Sequence, residues 1–266
     1  MENTRAGISS FWLKVAAIVA MTCNHVANAF AGMLPLSAVL ALYSLGGVTF
    51  PVMAFLLTEG YVHTSNLRRY ALRLAAFALV AQVPYSLLWG AVPNVLFTLL
   101  LSLGVLWARD RLGTRPAFVA VMLAAVVVTL PFDWGSVGVV MVFLFRTVPG
   151  RRGILGGILL AFALLGLPAI ADLASAPPGV ITSFSGYPPD PLIAGSMAPG
   201  LANTILQAGP LATTWGDALY AAVGFTIATV LILAYDGRRG RSLKWFFYAY
   251  YPAHLLVIWA IKALVS

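Results

Sequence analysis

Long apolar runs constrain the fold of this chain more than any motif in it. A helix needs about twenty apolar residues to cross a hydrocarbon core of roughly 30 Å. Nine such segments follow one another, approximately at 11–31, 36–58, 68–90, 94–108, 116–132, 135–147, 153–171, 216–235 and 245–265. Only 9% of the residues are charged, against about 25% in soluble proteins. We therefore expect an all-α, polytopic integral membrane helix bundle that forms a single domain over residues 1–266.

Two neighbouring segments, 116–132 and 135–147, are short and are separated by Pro131, Asp133 and Gly135. Irregular backbone at membrane depth must be buried in protein, because lipid offers it no hydrogen-bond partners. The pair is therefore expected either as two separate spans or as a re-entrant hairpin packed inside the bundle.

Basic residues predict the orientation, since loops rich in Lys and Arg remain in the cytoplasm. Fifteen of the sixteen basic residues lie at alternate connections, in clusters at 5–14, 68–73, 109–115, 146–152 and 238–244. Only Lys262 falls on the opposite side, which also carries Asp133, Asp172, Asp190 and Asp217. We expect the N-terminus inside and the C-terminus outside.

Charge and cysteine content exclude other classes of protein. A net charge of +8 would suggest nucleic-acid binding in a soluble chain, but here the charges lie in short loops between apolar runs. A single cysteine excludes a disulfide framework or a thiolate metal cluster within the chain, and we expect no metal site. The first apolar run imitates a cleavable signal peptide, but we expect it to be retained as a membrane helix.

Residues 173–215 form the one long stretch between the apolar segments, and they contain seven prolines. We expect this Pro-rich stretch to be an external loop. Such a loop is either a lid over a site or a poorly ordered spacer.

Polar residues in the second half of the first segment indicate a functional site. Asn24, His25 and Asn28 are spaced so that Asn28 shares a helix face with both of the others. An intramembrane histidine is a candidate functional residue; the alternative is a histidine that only hydrogen-bonds to a neighbouring helix. Lys14 lies eleven residues before His25, about 16 Å along the helix axis, where it suits an anionic head group.

A second group of candidates lies at the expected cytoplasmic side. Glu59 and His63 follow Pro51, which invites a kink or a break in the helix. The simpler role for Glu59 is an ion pair with a nearby arginine.

The start of the third segment is a candidate phosphate site. Its cap is expected to be Thr64, Ser65 or Asn66. A capped helix start with nearby guanidinium groups suits a phosphate, although topology alone accounts for the arginines equally well. The arginines concerned are Arg68, Arg69 and Arg73.

The last segment holds His254 behind a group of tyrosines that includes Tyr251. Counted from the inner ends of their helices, His25 and His254 fall at similar depths, so one central pocket is able to contain both. Tyrosines alone would indicate an interfacial aromatic belt. Asp133, at the outer turn between the two short segments, is either part of an Asx turn or a carboxylate that faces an acceptor.

Several ordered blocks of the chain resemble the TraX family of membrane acetyltransferases, which are connected with N-terminal acetylation of conjugative pilin. The blocks are Leu13 to His25, Gly47 to Phe55, Glu59-Gly60 with His63-Thr64, Asn94 to Leu99, Asp133-Trp134-Gly135 with Gly138, Tyr235 to Gly240 and Phe247 to Leu255. The spacing of Lys14 and His25 is also similar to that of a wider group of transmembrane acyltransferases. Asn24 departs from the TraX pattern, which has an acidic residue before the histidine, and we expect Asn24 to orient His25 by a hydrogen bond instead.

The resemblance implies an enzyme of the bacterial inner membrane that takes acetyl-CoA from the cytoplasm, with the C-terminus in the periplasm. The implied acceptor is the N-terminal amine of a pilin or a similar exported protein. The implied catalytic residues are His25, His254, Asn24 and Asn28, with Asp133 on the acceptor side. His25 would act either as a general base or as a nucleophile through an acetyl-imidazole, and His254 as a second proton carrier or an oxyanion donor. The residues implied in binding acetyl-CoA are Lys14, Glu59, His63, Arg68, Arg69, Arg73, Arg238, Arg239 and Tyr251.

Three other functions fit the sequence. One is an O-acetyltransferase that acts on an envelope glycan or lipid. Another is a proton-coupled transporter, because membrane histidines and a broken helix also suit proton relays, although no internal repeat supports it. The last is a non-enzymatic assembly scaffold.

Overall fold

The computed structural model describes residues 7–175 and 216–265. Most of the predicted external loop lies outside the described residues, as do Arg5 and Asp190. The helices are α1 (Ser10–Ala29), α2 (Leu36–Gly46), α3 (Thr49–His63), α4 (Leu67–Trp89), α5 (Val95–Arg111), α6 (Arg115–Thr129), α7 (Gly135–Thr147), α8 (Arg151–Ala161), α9 (Leu167–Ser175), α10 (Phe225–Leu233) and α11 (Lys244–Val265). Single π-helical turns, Phe162–Gly166 and Tyr220–Gly224, precede α9 and α10.

Each of the nine predicted segments contains a helix, and the expected polytopic membrane helix bundle is confirmed. Six helical stretches in the described part of the chain are long and apolar enough to cross a membrane: Ser10–Ala29, Leu36–His63, Leu67–Trp89, Arg151–Ala171, Gly216–Leu233 and Lys244–Val265. The shorter helices α5, α6 and α7 have 17, 15 and 13 residues. Large apolar side chains such as Leu79, Val83 and Leu159 face outward, as expected for a surface in contact with lipid.

Polar caps and a proline set the helix boundaries. Asn66 caps α4 by accepting a hydrogen bond from the backbone N–H of Arg69 at 2.8 Å, and Asn94 caps α5 through the N–H of Leu96 at 3.0 Å. The break expected near Pro51 is present, because α2 ends at Gly46 and α3 begins at Thr49.

The break between α2 and α3 packs tightly against the π-helical turn before α10. A Cβ atom on Gly224 would lie 2.7 Å from the carbonyl carbon of Gly47 and 2.8 Å from the carbonyl oxygen of Ser44. Only glycine fits such a close approach of two backbones. The interrupted helix is thereby fixed against the stretch Gly216–Leu233.

Helices α6 and α7 form the expected pair of short helices around the turn at Asp133, but they lie in different environments. Helix α7 buries Val139, Met141 and Val142 in the core, whereas α6 buries only Ala125 and Thr129. The prediction that the pair packs inside the bundle is therefore correct for α7, whereas α6 lies on the outer surface of the bundle.

The core lies where α1, α3, α4, α5, α7 and α11 meet. Helix α1 packs against α2, α3 and α11, and α4 lies between α5 and α11. Fully buried side chains from different helices, among them Leu13, Phe50, Leu103 and Leu255, fill the interior. This arrangement places the first and the last helix side by side.

One end of the bundle, which we call the basic end, gathers the start of α1, the ends of α3, α5 and α7, and the loop after α10. The Tyr61 hydroxyl donates to Asp110 at 2.6 Å, and the Arg146 guanidinium lies 5.9 Å from the Tyr61 ring centre. Ile8 and Tyr235 form an isolated bridge that ties the N-terminal residues to the loop. The basic clusters predicted to share one side therefore share one end, as far as their residues are described.

The opposite end, which we call the acidic end, is built around Asp133 and Asp217. The Asp133 backbone accepts a hydrogen bond from the Thr98 hydroxyl at 2.5 Å, and the Tyr43 hydroxyl donates to Asp217 at 3.2 Å. Next to Asp133, Trp134 adopts a left-handed backbone conformation with φ of 64°, and its ring stacks on Phe50 at 4.3 Å. Aromatic rings thus enclose both carboxylates.

Candidate active site in the bundle core

Two histidines from the first and last helices meet inside the bundle. Nδ1 of His25 lies 2.7 Å from Nε2 of His254, and the two rings are stacked with their centres 5.0 Å apart. Each residue is only 8% exposed. The two histidines, expected at similar depths from the sequence, are thus in direct contact.

A second hydrogen bond between α1 and α11 fixes the histidine pair in register. The hydroxyls of Thr22 and Tyr250 lie 2.7 Å apart, one helical turn from His25 and His254, respectively. The Tyr250 ring also stacks on the His254 ring, with centres 5.1 Å apart. The two helices are therefore joined by consecutive polar contacts at this depth.

The hydrogen bonds assign the tautomer of each histidine. Nδ1 of His254 lies 2.9 Å from the Tyr250 carbonyl oxygen, which only accepts, so His254 carries its proton on Nδ1. A neutral His254 then accepts through Nε2, and His25 must donate from Nδ1. Charge is costly inside the bundle, which favours the neutral rings. His25 is left with an unprotonated Nε2, the atom needed in a general base.

Two further side chains enclose His25. The Trp89 ring lies 4.8 Å from the His25 ring, and the Tyr251 ring lies 6.1 Å away. Tyr251, which is predicted among the residues that bind acetyl-CoA, lies beside the two histidines. Trp89 was missed, because a tryptophan at the end of an apolar helix is typical of the membrane interface.

Asn24 and Asn28 do not contact His25 through hydrogen bonds in the described part of the chain. The Asn28 amide donates to the Asn24 carbonyl oxygen at 2.8 Å and to the Asn24 side chain at 3.1 Å. A Cβ atom on Gly46 would collide with Asn24, so Asn24 faces the end of α2. The expectation that Asn24 orients His25 is therefore corrected, since His254 occupies that position.

Lys14 and Arg239 lie near each other at the basic end. Nζ of Lys14 is 5.8 Å from the centre of the Phe247 ring, and the Arg239 charge acts on it. The hydroxyl of Ser10 donates to the Arg239 carbonyl at 2.8 Å, which fixes the loop against α1. Two cations thus stand at the start of the helix that carries His25.

Arg238, also predicted to bind a phosphate, already has a partner. Its guanidinium contacts Asp236 at 2.7 Å, and this hydrogen bond holds the pKa of Asp236 below its ordinary value. Arg238 is therefore less available to a ligand than Lys14 is.

Glu59 and His63 lie at the basic end, at the close of α3. Nδ1 of His63 is 2.9 Å from the Glu59 carbonyl oxygen. Burial, followed by the charge and hydrogen bonding of Glu59, raises the pKa of Tyr235 to about 12. Glu59 therefore faces Tyr235, in the loop that follows α10.

The arginines of α4 stand beside the same end. Arg73 lies 6.0 Å from the centre of the Tyr70 ring, and its Nε is buried without a hydrogen-bond partner among the described residues. Arg68 and Arg69 occupy the first turn after the Asn66 cap. This arrangement is compatible with an anion-binding site. It is equally compatible with arginines that only keep this loop in the cytoplasm.

Asp133 belongs to the same interior network as the histidines. Burial raises the pKa of its carboxyl group to about 7, partly opposed by hydrogen bonds from the Trp134 backbone and the Tyr85 hydroxyl. Tyr85 packs edge-on against Trp89, with ring centres 4.9 Å apart, and Trp89 contacts His25. A continuous path of side chains therefore leads from His25 to the acidic end.

These features define a polytopic membrane protein with a neutral histidine pair in its core, between a basic end and an acidic end. The sequence profile of the family described as TraX protein matches residues 9–174. The chain therefore belongs to the TraX family. The matched range includes His25 and Trp89, whereas α10 and α11 lie beyond it.

A curated relative covers nearly the whole chain. It is the probable fimbrial assembly protein FimC, serogroup H1, of Dichelobacter nodosus, which is 27% identical over 274 residues, or 96% of each chain. No solved structure matches this chain.

Proposed function

We propose that this protein is an acetyl-CoA-dependent acetyltransferase of the bacterial inner membrane. It takes the acetyl group from cytoplasmic acetyl-CoA and transfers it to an acceptor on the outer side, the N-terminal amine of a pilin or a similar exported protein. Membership of the TraX family and similarity to a probable fimbrial assembly protein support a role connected with pili. The observation that carries the chemistry is the histidine pair, which presents an unprotonated Nε2 on His25.

The donor enters from the basic end in this proposal. Lys14 and Arg239, with Arg68, Arg69 and Arg73, hold the phosphates of CoA, because guanidinium and ammonium groups pair well with phosphate. The pantetheine arm then follows α1 toward His25, about 16 Å along the helix from Lys14. The orientation with the basic end in the cytoplasm is part of the proposal.

His25 acts as the general base. As the acceptor nitrogen adds to the acetyl carbonyl carbon, Nε2 of His25 takes a proton from that nitrogen. The carbon–sulfur bond then breaks, and the same proton passes to the sulfur of CoA. His254 holds His25 in the required tautomer through its contact at 2.7 Å, while the Tyr250 carbonyl holds His254.

Asp133 serves the acceptor on the other side of His25. An exported amine arrives as an ammonium ion, and an ionised Asp133 carboxylate binds it and accepts its first proton. The described residues supply no ion pair to Asp133, so its charge is left to a ligand. A hydroxyl acceptor, such as that of a glycan or a lipid, would need no such carboxylate.

The test uses purified full-length protein in lipid nanodiscs, acetyl-CoA and a synthetic peptide with a free N-terminal amine. His25→Ala should lower the rate of transfer by about 10²- to 10⁴-fold, as expected for loss of a general base. The variant should still be stabilised thermally by acetyl-CoA. Cys23→Ala, two residues away on the same helix, is the matched control and should transfer at the wild-type rate.

Each rival function gives a different result in this test. A proton-coupled transporter would not be stabilised by acetyl-CoA. An O-acetyltransferase would be stabilised but would acetylate a hydroxyl probe in preference to the peptide. Normal transfer by His25→Ala would show that the histidine pair is not the catalytic site.

A further inference from the structure

Two buried hydrogen-bond donors on side chains that pack against His25 have no partner among the described residues. These donors are Nε1 of Trp89 and the hydroxyl of Tyr251, and the two residues are only 2% and 4% exposed. Leaving a buried donor unpaired is costly, and native proteins do so rarely. Such a pair of donors needs an explanation, and a ligand that accepts hydrogen bonds supplies one.

The rings that carry the two donors come from different helices and pack against the same histidine ring. Trp89 is the last residue of α4, directly before Gly90, whose positive φ of 83° ends the helix. Tyr251 projects from α11, where its ring lies 5.6 Å from His254 and 6.1 Å from His25. His25 therefore contacts one donor-bearing ring from α4 and one from α11.

The other unpaired polar atoms in the described part of the chain do not share this setting. They are the hydroxyl of Thr49 and the Nε atoms of Arg73 and Arg146. The two arginines belong to the basic end, and none of the three shows a ring contact with the histidines. Trp89 and Tyr251 are thus distinguished by their position around the proposed base.

We propose that Trp89 Nε1 and the Tyr251 hydroxyl donate hydrogen bonds to the carbonyl oxygen of the bound acyl thioester. This inference rests on the proposed function. When the acceptor nitrogen forms its bond to the carbonyl carbon, the π electrons move onto the oxygen, and both donors stabilise the negative charge. When the carbon–sulfur bond breaks, the carbonyl re-forms, and each donor keeps its proton throughout.

Neutral donors are well suited to this position. They bind a developing negative charge without placing a permanent charge in the core, where ions are costly. Donors that are already fixed and unpaired before the substrate arrives need no reorganisation during the reaction. The same property explains why the free protein leaves them unsatisfied.

The kinetic test replaces each donor with the closest ring that lacks it, in full-length protein in nanodiscs. Trp89→Phe and Tyr251→Phe should each lower kcat by about 10²- to 10³-fold, the usual effect of removing one oxyanion donor. The KM for acetyl-CoA should change little. Trp107→Phe on the exposed side of α5 and Tyr248→Phe, one turn before Tyr251, are the matched controls and should keep the wild-type kcat.

Melting temperatures distinguish the proposed catalytic role of Trp89 and Tyr251 from a purely structural role. Neither Phe substitution removes a hydrogen bond, so neither should lower the melting temperature through a lost partner. A large loss of kcat in a variant that melts like the wild type supports the inference. Wild-type kcat in both variants would overturn it.

A spectroscopic measurement does not depend on turnover. Acetyl-CoA labelled with ¹³C at its carbonyl carbon is bound to His25→Ala, which holds the donor without transferring the group. Its carbonyl stretch should move to lower frequency than in free acetyl-CoA, and the shift should shrink when Trp89→Phe or Tyr251→Phe is added. An equal shift in all three proteins would refute the proposed donors.

The two proposals fail in different ways. If acetyl-CoA neither stabilises the protein nor reacts, the acetyltransferase function is wrong. If transfer occurs and depends on His25 but is insensitive to both Phe variants, only the assignment of Trp89 and Tyr251 is wrong.

Discussion

Nδ1 of His254 lies 2.9 Å from the carbonyl oxygen of Tyr250, one turn earlier in α11. This backbone contact decides which nitrogen of His254 faces His25, and it thereby decides which nitrogen of His25 is left unprotonated. In many enzymes a carboxylate orients the catalytic histidine. Here a second imidazole occupies that place, and neither histidine has a hydrogen bond to a carboxylate among the described residues.

Removal of His254 should change the tautomer of His25. In His254→Ala, the Nδ1 proton of His25 loses its acceptor, and the ring is no longer held with Nε2 unprotonated. We expect kcat to fall by about 10²-fold, less than in His25→Ala. Nitrogen-15 NMR of histidine-labelled protein should show the His25 proton on Nδ1 in the wild type and a shift toward Nε2 in the variant. An unchanged His25 spectrum would contradict the assigned relay.

Loss of charge at the basic end should weaken donor binding and leave the chemistry nearly intact. Two variants test this: the single variant Lys14→Ala and the double variant Arg68→Ala/Arg69→Ala. Each should raise the KM for acetyl-CoA, with a smaller effect on kcat, because each removes ground-state binding. The effect should diminish at high salt, which screens such contacts. Lys262→Ala, at the other end of α11, is the charge-matched control. A KM equal to that of the wild type in the basic-end variants would show that these residues only determine the orientation in the membrane and do not bind acetyl-CoA.

The orientation can be tested independently of activity. Reporter fusions at Arg111, Arg151 and Arg239 should report the cytoplasm, because these residues belong to the basic clusters. A fusion at Pro188 should report the periplasm. A cytoplasmic signal at Pro188 would reverse the direction of transfer that we propose.

The raised pKa of Asp133 predicts a specific pH dependence. With an amine acceptor, kcat/KM should rise as the pH increases through about 7, since the ionised carboxylate is the form that binds ammonium. Among the described residues, no cation interacts with the Asp133 carboxyl group. The groups that do interact with it are the Trp134 backbone and the side chains of Tyr85, Tyr251, Tyr43 and Tyr220. Asp133→Asn should remove this limb of the profile, whereas Asp110→Asn at the basic end should keep it.

Folding stability should also depend on ionisation of Asp133, but it should decrease as the pH rises, whereas kcat/KM increases. Because the folded state binds the Asp133 proton more tightly than the unfolded chain does, its contribution is fully present below the ordinary pKa of 3.8 and is lost as the pH rises through about 7. The melting temperature of the wild type should therefore fall over this pH range more than that of Asp133→Asn. Parallel curves for the two proteins would argue against a buried, proton-binding carboxyl group.

Much of the fold follows from the length of the apolar runs, because a membrane helix must satisfy its own backbone. The break before Pro51 and the Asn66 cap were likewise predicted from local chemistry. The outward position of α6 was not, since its sequence is as apolar as that of a buried helix. Which side of a membrane helix meets protein depends on its neighbours, which no local pattern specifies.

The site was predicted in part. His25 and His254 stand out individually as intramembrane histidines, but their contact joins positions 229 residues apart, which helix spacing along the chain cannot reveal. The resemblance to the TraX pattern suggested Asn24 as the partner of His25, yet the rotation of α1 turns Asn24 toward Gly46. Trp89 carries no sequence signal, because the role that we propose for it depends on a nitrogen without a partner among the described residues, which only the packed bundle defines.

The position of the two histidines in the first and last helices also has a consequence for biosynthesis. A ribosome that adds about 5–20 residues per second reaches His254 roughly 11 to 46 seconds after it has made His25. Throughout that interval α1 lies in the membrane without α11, and its histidine has no partner to fix its proton. In the proposed mechanism, a nascent chain, or one that stalls before its final helix, would thus have a His25 whose proton is not fixed, and full reactivity would begin only with insertion of the last span.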